Sequence, residues 1–279
     1  MAFLWLFIRI ILLGYERIAG KKISEGNDTL ISSWGFFTFS FLTMIPFITG
    51  LNFEILKISL ISGFIYSLSF YLYVKALSSE DASVIAPLYN INVIFLIFLT
   101  WFFLGEKITT AKILGSLIMI YGISYLKKEN SLKNSFKNIF KSKGAVSMIV
   151  SSLLLGLGRT VDGYFVKSTD ELTYSVAIYM IVSINFTVIS IIKYKSLKPH
   201  INIVKNKIFS LLTGGFSNAY SYVALLKAFK YVDVSVAEPV SMLSAVITSL
   251  MAKFIFREKI AIRLLRTFIL ILGAFIIYI

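Results

Sequence analysis

The sequence predicts an all-α membrane protein, with ten transmembrane helices arranged as two inverted five-helix repeats. Three observations lead there. First, 57% of the 279 residues are hydrophobic and only 15% are charged, too few charges to cover a water-facing surface, where about a quarter is usual. Second, the apolar residues fall in runs near 20 long, the length a bilayer requires, and the mean hydropathy is +0.83. Third, residues 214–279 repeat residues 62–127 in one register.

The predicted spans are 2–20, 30–51, 58–77, 83–104, 110–126, 144–166, 173–192, 207–229, 234–256 and 261–279. They divide into a first repeat (1–127), a Lys-rich connection (128–143) and a second repeat (144–279). The first run lacks a basic leader, and Tyr15-Glu16-Arg17 follows it where a cleavage site would need small residues, so it reads as a retained span. Pro46 lies inside span two and should kink it. Pro87 and Pro239 fall near the starts of spans four and nine, where a missing N–H costs least, and Pro199 falls in a loop. Lipid satisfies no backbone hydrogen bond, which leaves helices or closed barrels. Runs such as Ile113–Tyr121 do not alternate as barrel strands do. There is no cysteine, hence no disulfide or thiolate metal site. The single His200 sits among lysines and reads as a solvated surface residue.

Residues 62–127 align without gaps on 214–279 at an offset of 152. Gly63/Gly215, Ser69/Ser221, Lys75/Lys227, Asp81/Asp233, Pro87/Pro239 and Glu106-Lys107-Ile108/Glu258-Lys259-Ile260 all match. In spans one and six the likeness shrinks to Gly14-x-x-Arg17 against Gly156-x-x-Arg159. Five helices per copy is an odd number, so the second copy enters the membrane from the opposite side. Many secondary transporters share that plan, with the site near the midplane between the repeats. Lys127, Lys128, Lys133, Lys137, Lys141 and Lys143 share one face with Lys193, Lys195, Lys198, Lys205 and Lys207. The positive-inside rule puts that face in the cytoplasm and both termini outside. The net charge of +14 then serves lipid headgroups and topology rather than nucleic acid.

The segments Ala76-Leu77 … Asp81-Ala82-Ser83 … Pro87, Ala237-Glu238-Pro239-Val240, Gly105-Glu106-Lys107 and Arg257-Glu258-Lys259 resemble the EamA-like branch of the drug/metabolite transporter superfamily. The resemblance covers nearly the whole chain. It departs at Arg257, where Gly is usual, and at Glu16-Arg17, where an uncharged polar residue is. It implies a ten-helix inverted repeat, a cavity lined by spans 1, 3, 4, 6, 8 and 9, and export or exchange of metabolites. Eukaryotic relatives are described with cytosolic termini; the lysine count points the other way.

Charges inside spans direct attention to a site. Each central Asp, Lys or Arg disfavours insertion by roughly 2.5–3.5 kcal/mol. Glu16, Arg17, Arg159 and Asp162 would together cost about 10 kcal/mol if unpaired and should face each other or a wet cavity, as Glu16–Arg159 or Arg17–Asp162 pairs. Tyr66, Ser69 and Tyr73 form a polar stripe on span three at helical spacing. Asn218, Ser221 and Leu225 are their repeat mates, with Tyr222 one position from that stripe. Asn90 and Asn92 point to different sides, so at most one faces a cavity. Glu238 begins span nine, where a capping role is the default and a gate or cation site the alternative. The predicted substrate-binding set is Glu16, Arg17, Tyr66, Tyr73, Asn92, Arg159, Asp162, Asn218, Tyr222 and Glu238.

No Walker loop, Gly-x-Ser-x-Gly or His-Glu-x-x-His motif occurs, and carboxylate clusters for magnesium are lacking. These absences disfavour an enzyme and call for no cofactor. The expectation is a secondary-active exporter or exchanger of small metabolites, such as amino acids or related amphipathic solutes, in the cell membrane. Its partners are a small-molecule substrate and the bilayer, with protons as candidate coupling ion, a homodimer as candidate assembly and no nucleic acid. The alternatives are a lipid-linked sugar flippase and a non-transporting scaffold.

Overall fold

The computed structural model describes residues 1–89, 91–124, 139–241, 243–257, 268–269, 271–273 and 275–276. Asn90, Lys127, most of the Lys-rich connection (including Lys128, Lys133 and Lys137), Glu258-Lys259-Ile260 and most of span ten lie outside the described residues. So do the side chains of Pro87 and Pro239.

The described residues are helical, with no strand among them. The helices are α1 (Ala2–Ser24), α2 (Thr29–Met44), a 3-10 turn (Ile45–Gly50), α3 (Phe53–Ser79), α4 (Ala82–Tyr89), α5 (Asn92–Leu104), α6 (Thr110–Ser124), α7 (Lys143–Phe165), α8 (Glu171–Tyr194), α9 (Lys198–Phe229), α10 (Val234–Ser241) and α11 (Ser244–Phe256). Among the described residues, four segments are long and apolar enough to cross a membrane: Thr29–Gly50, Phe53–Ser79, Lys143–Phe165 and Glu171–Tyr194. Large apolar side chains such as Phe7, Phe64, Phe98, Phe102, Ile192 and Phe254 point outward, while charged groups of α1, α7 and α10 are buried. That polarity suits a lipid surround.

Two predicted spans are divided. Span four is α4 then α5, and span nine is α10 then α11. Pro87 and Pro239 therefore lie within short first segments and not at helix starts; a proline N has no hydrogen to donate to the preceding turn. Pro46 ends α2 as an α-helix and opens the 3-10 turn. Pro199 lies in the first turn of α9, not in a loop. Lys207 breaks α9 with φ −129° and ψ 16°, close to the expected start of span eight. His200 is 5% exposed, correcting the surface reading. The unexpected opening turns of α9 turn its imidazole inward, where Nε2 meets Ser190 Oγ at 2.8 Å and the ring meets Trp34 edge-on.

The principal helix contacts cross between the halves. α1 packs on α9 and α11, α7 on α3 and α5, α9 on α2 and α3 on α8. Glycines make these approaches close. A Cβ on Gly14 would lie 3.3 Å from the Ser244 carbonyl, and one on Gly156 would lie 3.6 Å from that of Asn92. On Gly63 it would strike Ile181, and on Gly215 the Phe39 backbone. Small residues give membrane helices this proximity.

Polar contacts gather at the two ends of the bundle. At one end Lys193 pairs with Asp28 (3.2 Å), Lys21 Nζ donates to the Glu80 carbonyl (2.8 Å), and Ser142 bonds the Glu80 side chain. At the other end Lys230 pairs with Glu171 (2.9 Å), and Lys112 Nζ donates to Ser235 Oγ (3.0 Å) beside Glu106.

Candidate functional site

The i, i+3 spacing of Arg159 and Asp162 puts both on one face of α7. Asp162 is fully buried and accepts from four donors. Tyr66 from α3, Tyr222 from α9 (2.9 Å) and Arg159 Nη1 (3.4 Å) reach one oxygen; Tyr174 from α8 reaches the other at 3.0 Å. Arg159 Nε donates to Glu238 Oε1 at 2.9 Å, and Nη1 to the Tyr66 hydroxyl at 3.0 Å. Its guanidinium also lies over the Tyr222 and Tyr66 rings, at 4.8 and 5.3 Å. Asn92 Nδ2 completes this part at 3.5 Å from Glu238 Oε2. Gly158 admits the Tyr66 ring, which a Cβ would meet at 2.5 Å.

The second part is built on α1. Tyr73 donates to Glu16 Oε1 (3.2 Å) and Ser221 Oγ lies 3.4 Å from Oε2. Arg9 Nη1 donates to Ser221 Oγ (2.8 Å) and Nη2 to the Tyr89 hydroxyl (3.4 Å). Arg17 Nη1 donates to Ser244 Oγ (3.0 Å), its guanidinium 4.5 Å from the Tyr89 ring centre. Three donors on these buried arginines have no hydrogen-bond partner: Arg9 Nε, Arg17 Nε and Arg17 Nη2. Tyr222 joins the two parts through edge-on contacts with Tyr66 and Tyr179. The Tyr179 hydroxyl lies 3.0 Å from Asn218 Oδ1, and Asn218 Nδ2 donates to Ser40 at 2.9 Å.

All ten predicted residues are thus buried, and most converge. Tyr66, Asn92, Arg159, Asp162, Tyr222 and Glu238 gather around α7, and Glu16, Arg17 and Tyr73 around α1; Asn218 borders both through Tyr179. Two expectations change. The Glu16–Arg159 and Arg17–Asp162 pairs do not form, because Arg159 is engaged by Glu238 and by Asp162 one turn along its own helix. Glu238 is no cap: five residues into α10, it holds the Arg159 guanidinium. Arg9 was missed, although it interrupts an apolar run as plainly as Glu16 and Arg17 do. Tyr89, Tyr174 and Tyr179 were also missed, and a tyrosine among many aromatics gives no such signal.

The chain matches the EamA-like transporter family over residues 1–126 and 142–279, nearly its whole length. It belongs to the EamA-like transporter family. The match places the protein among multi-pass membrane transporters of the drug/metabolite type and agrees with the motif resemblance. A solved structure described only as a crystal structure of a protein is similar in fold, with a TM-score of 0.68 and 13% identity. That likeness covers 99% of this chain and 96% of the other. No curated protein matches the sequence.

Proposed function

We propose that this chain is a secondary-active transporter, an exporter or exchanger of small metabolites such as amino acids or related amphipathic solutes. It works in the cell membrane by alternating access between two inverted five-helix repeats (1–127 and 144–279), with protons as the coupling ion. The buried cluster carries the proposal. Arg9, Glu16, Arg17, Arg159, Asp162 and Glu238 lie inside a chain of a transporter family, where intramembrane charges mark solute and ion pathways. Glu16, Arg17, Tyr66, Tyr73, Asn92, Arg159, Asp162, Asn218, Tyr222 and Glu238 are its substrate-binding residues. Glu16 is the proton site: its carboxylate is held by Tyr73 and Ser221 and, among the described residues, by no ion pair within 4.0 Å. Access from one side is supported by a polar hollow of about 680 Å³ between Leu104, Glu106, Lys167 and the Phe229–Val234 turn, at the end of the bundle where α10 begins.

Solute counterflow in proteoliposomes tests the proposal. Loading with an amino acid panel should accelerate uptake of at least one labelled member, and Asp162→Asn should abolish it at equal protein level. Equal rates in empty and protein-containing vesicles across the panel would remove the substrate class; full activity of the Asp162 variant would remove the site.

A second reading, a flippase for lipid-linked sugars, has one observation in its favour. An apolar groove of about 660 Å³ runs between α3 and α8, lined by Phe64, Leu68, Tyr71, Phe186 and Ile189, with Lys193 at one end. Scrambling of a fluorescent polyprenyl-phosphate sugar, absent from protein-free vesicles, would favour it over the solute transporter.

A further inference from the structure

We propose that Arg9 and Arg17 form an oxyanion subsite that takes the carboxylate or phosphate group of the transported solute. The inference rests on reading the buried cluster as the solute site. A guanidinium has five N–H donors and no acceptor. Arg17 is 0% exposed and Arg9 1% exposed, so bulk solvent does not reach the donors left over. On Arg17 the two unpartnered donors are Nε and Nη2. They form the side-on edge with which a guanidinium grips a carboxylate or phosphate through two parallel bonds. Ser244 takes the remaining nitrogen, Nη1. Tyr89 braces the plane from its face and also accepts from Arg9, leaving Arg9 Nε unpartnered as well.

Charge points the same way. On the α7 side one arginine meets two carboxylates, Asp162 and Glu238. On the α1 side two arginines face one carboxylate, Glu16, which takes its hydrogen bonds from Tyr73 and Ser221. The α1 side therefore has an excess positive charge that a solute anion would neutralise. In a low-dielectric interior such a contact is strong for an anion and much weaker for a neutral analogue.

The test is binding to the full-length protein in lipid nanodiscs, measured by calorimetry and thermal stability. The probes are succinate, inorganic phosphate and the uncharged succinamide. At least one anion should bind, with succinamide at least tenfold weaker. Preference between succinate and phosphate assigns the group. Arg17→Gln should weaken the anion at least tenfold, and Arg17→Lys should fail to restore it because a lysine lacks the two-pronged edge. If Arg17→Gln does not fold, Arg9→Gln takes its place and should weaken the anion at least tenfold, and wild-type affinity in that variant would overturn the subsite. Equal binding of succinamide and the anions, no binding of any anion to wild type, or wild-type affinity in Arg17→Gln would overturn the subsite. Anion binding without counterflow of any solute would instead sink the transporter reading and leave the subsite standing.

Discussion

Arg159 and Asp162 show what holding charge in lipid demands of single residues. Arg159 has two carboxylate partners, so removing its charge strands both Asp162 and Glu238 without a cation. Breaking a buried pair in this way typically costs about 3–5 kcal/mol. Asp162 receives three tyrosine hydroxyls, and losing one leaves two tyrosines and Arg159 in place. Tyr66→Phe, Tyr174→Phe or Tyr222→Phe should each cost only about 1 kcal/mol. Thermal unfolding of purified variants should therefore rank Arg159→Gln far below every Tyr→Phe change; a reversed order would show that Asp162, not Arg159, is the strained partner. His200, outside the spanning part of α9, yields a pH prediction. Burial holds its imidazole below the ordinary value, so the folded state favours the neutral ring. Stability from this residue is complete above about pH 6.5 and is lost as pH falls through the lower folded value. Melting temperature should drop between pH 7 and 5 in wild type and drop less in His200→Gln. Except for Arg9, which was missed, the charges of this cluster were read from the sequence because each interrupts an apolar run. Their pairings were not, because the choice between Glu238 and Glu16 as partner of Arg159 depends on where α10 breaks.

At the scale of elements, the repeat is carried further by the structure than by the sequence. The breaks in spans four and nine fall at matched positions: α4 and α5 map onto α10 and α11 at the offset of 152. Gly105 and Arg257 end α5 and α11 in the same left-handed conformation, with φ of 69° and 56°. A side chain there costs roughly 1–2 kcal/mol, so Arg257→Gly should raise stability by about 1 kcal/mol, read as a higher melting temperature. No change would mean that the Arg257 side chain makes a compensating contact. In the first two spans of each half the register is instead 142. Gly14 and Gly156 hold matched contacts there, and Asp28 and Asp170 each cap the next helix, through the Leu30 and Thr173 N–H groups. The register changes because the second half is ten residues longer between α8 and the break at Lys207, the stretch that forms the first turns of α9. The likeness of spans one and six is faint even in that register; the added turns are why the place of His200 was misread. Gly215 sets a further limit: Ala would bring its Cβ within 2.6 Å of the Phe39 backbone, which cannot swing aside as a side chain can. Overpacking of this kind costs about 1–3 kcal/mol.

At the scale of the whole molecule, the proposed inverted arrangement makes a prediction about sides. The matched pairs Gly14–Ser244 and Gly156–Asn92, Gly63–Ile181 and Gly215–Phe39, and Arg9–Ser221 and Ser69–Ser151 each exchange one half for the other. The caps Asp28 and Asp170 lie at opposite ends of the bundle, Asp28 beside Lys193 at the end of α8 and Asp170 at its beginning. Those facts support repeats related by an axis in the membrane plane, the geometry that lets one half rock against the other around a fixed solute. The chain has no cysteine, so single introduced cysteines report position without background. Lys107→Cys, after α5, and Arg257→Cys, after α11, should react with a membrane-impermeant maleimide from opposite faces. With the Lys-rich connection in the cytoplasm, position 107 is the one reached from outside in intact cells, and position 257 is reached only after permeabilisation. The two positions being labelled from one face would dismantle the inverted repeat and alternating access with it. Opposite faces with the assignment reversed would keep the repeat and overturn only the lysine-based orientation, since an axis in the membrane plane requires the copies to oppose each other whichever end of the bundle meets the cytoplasm.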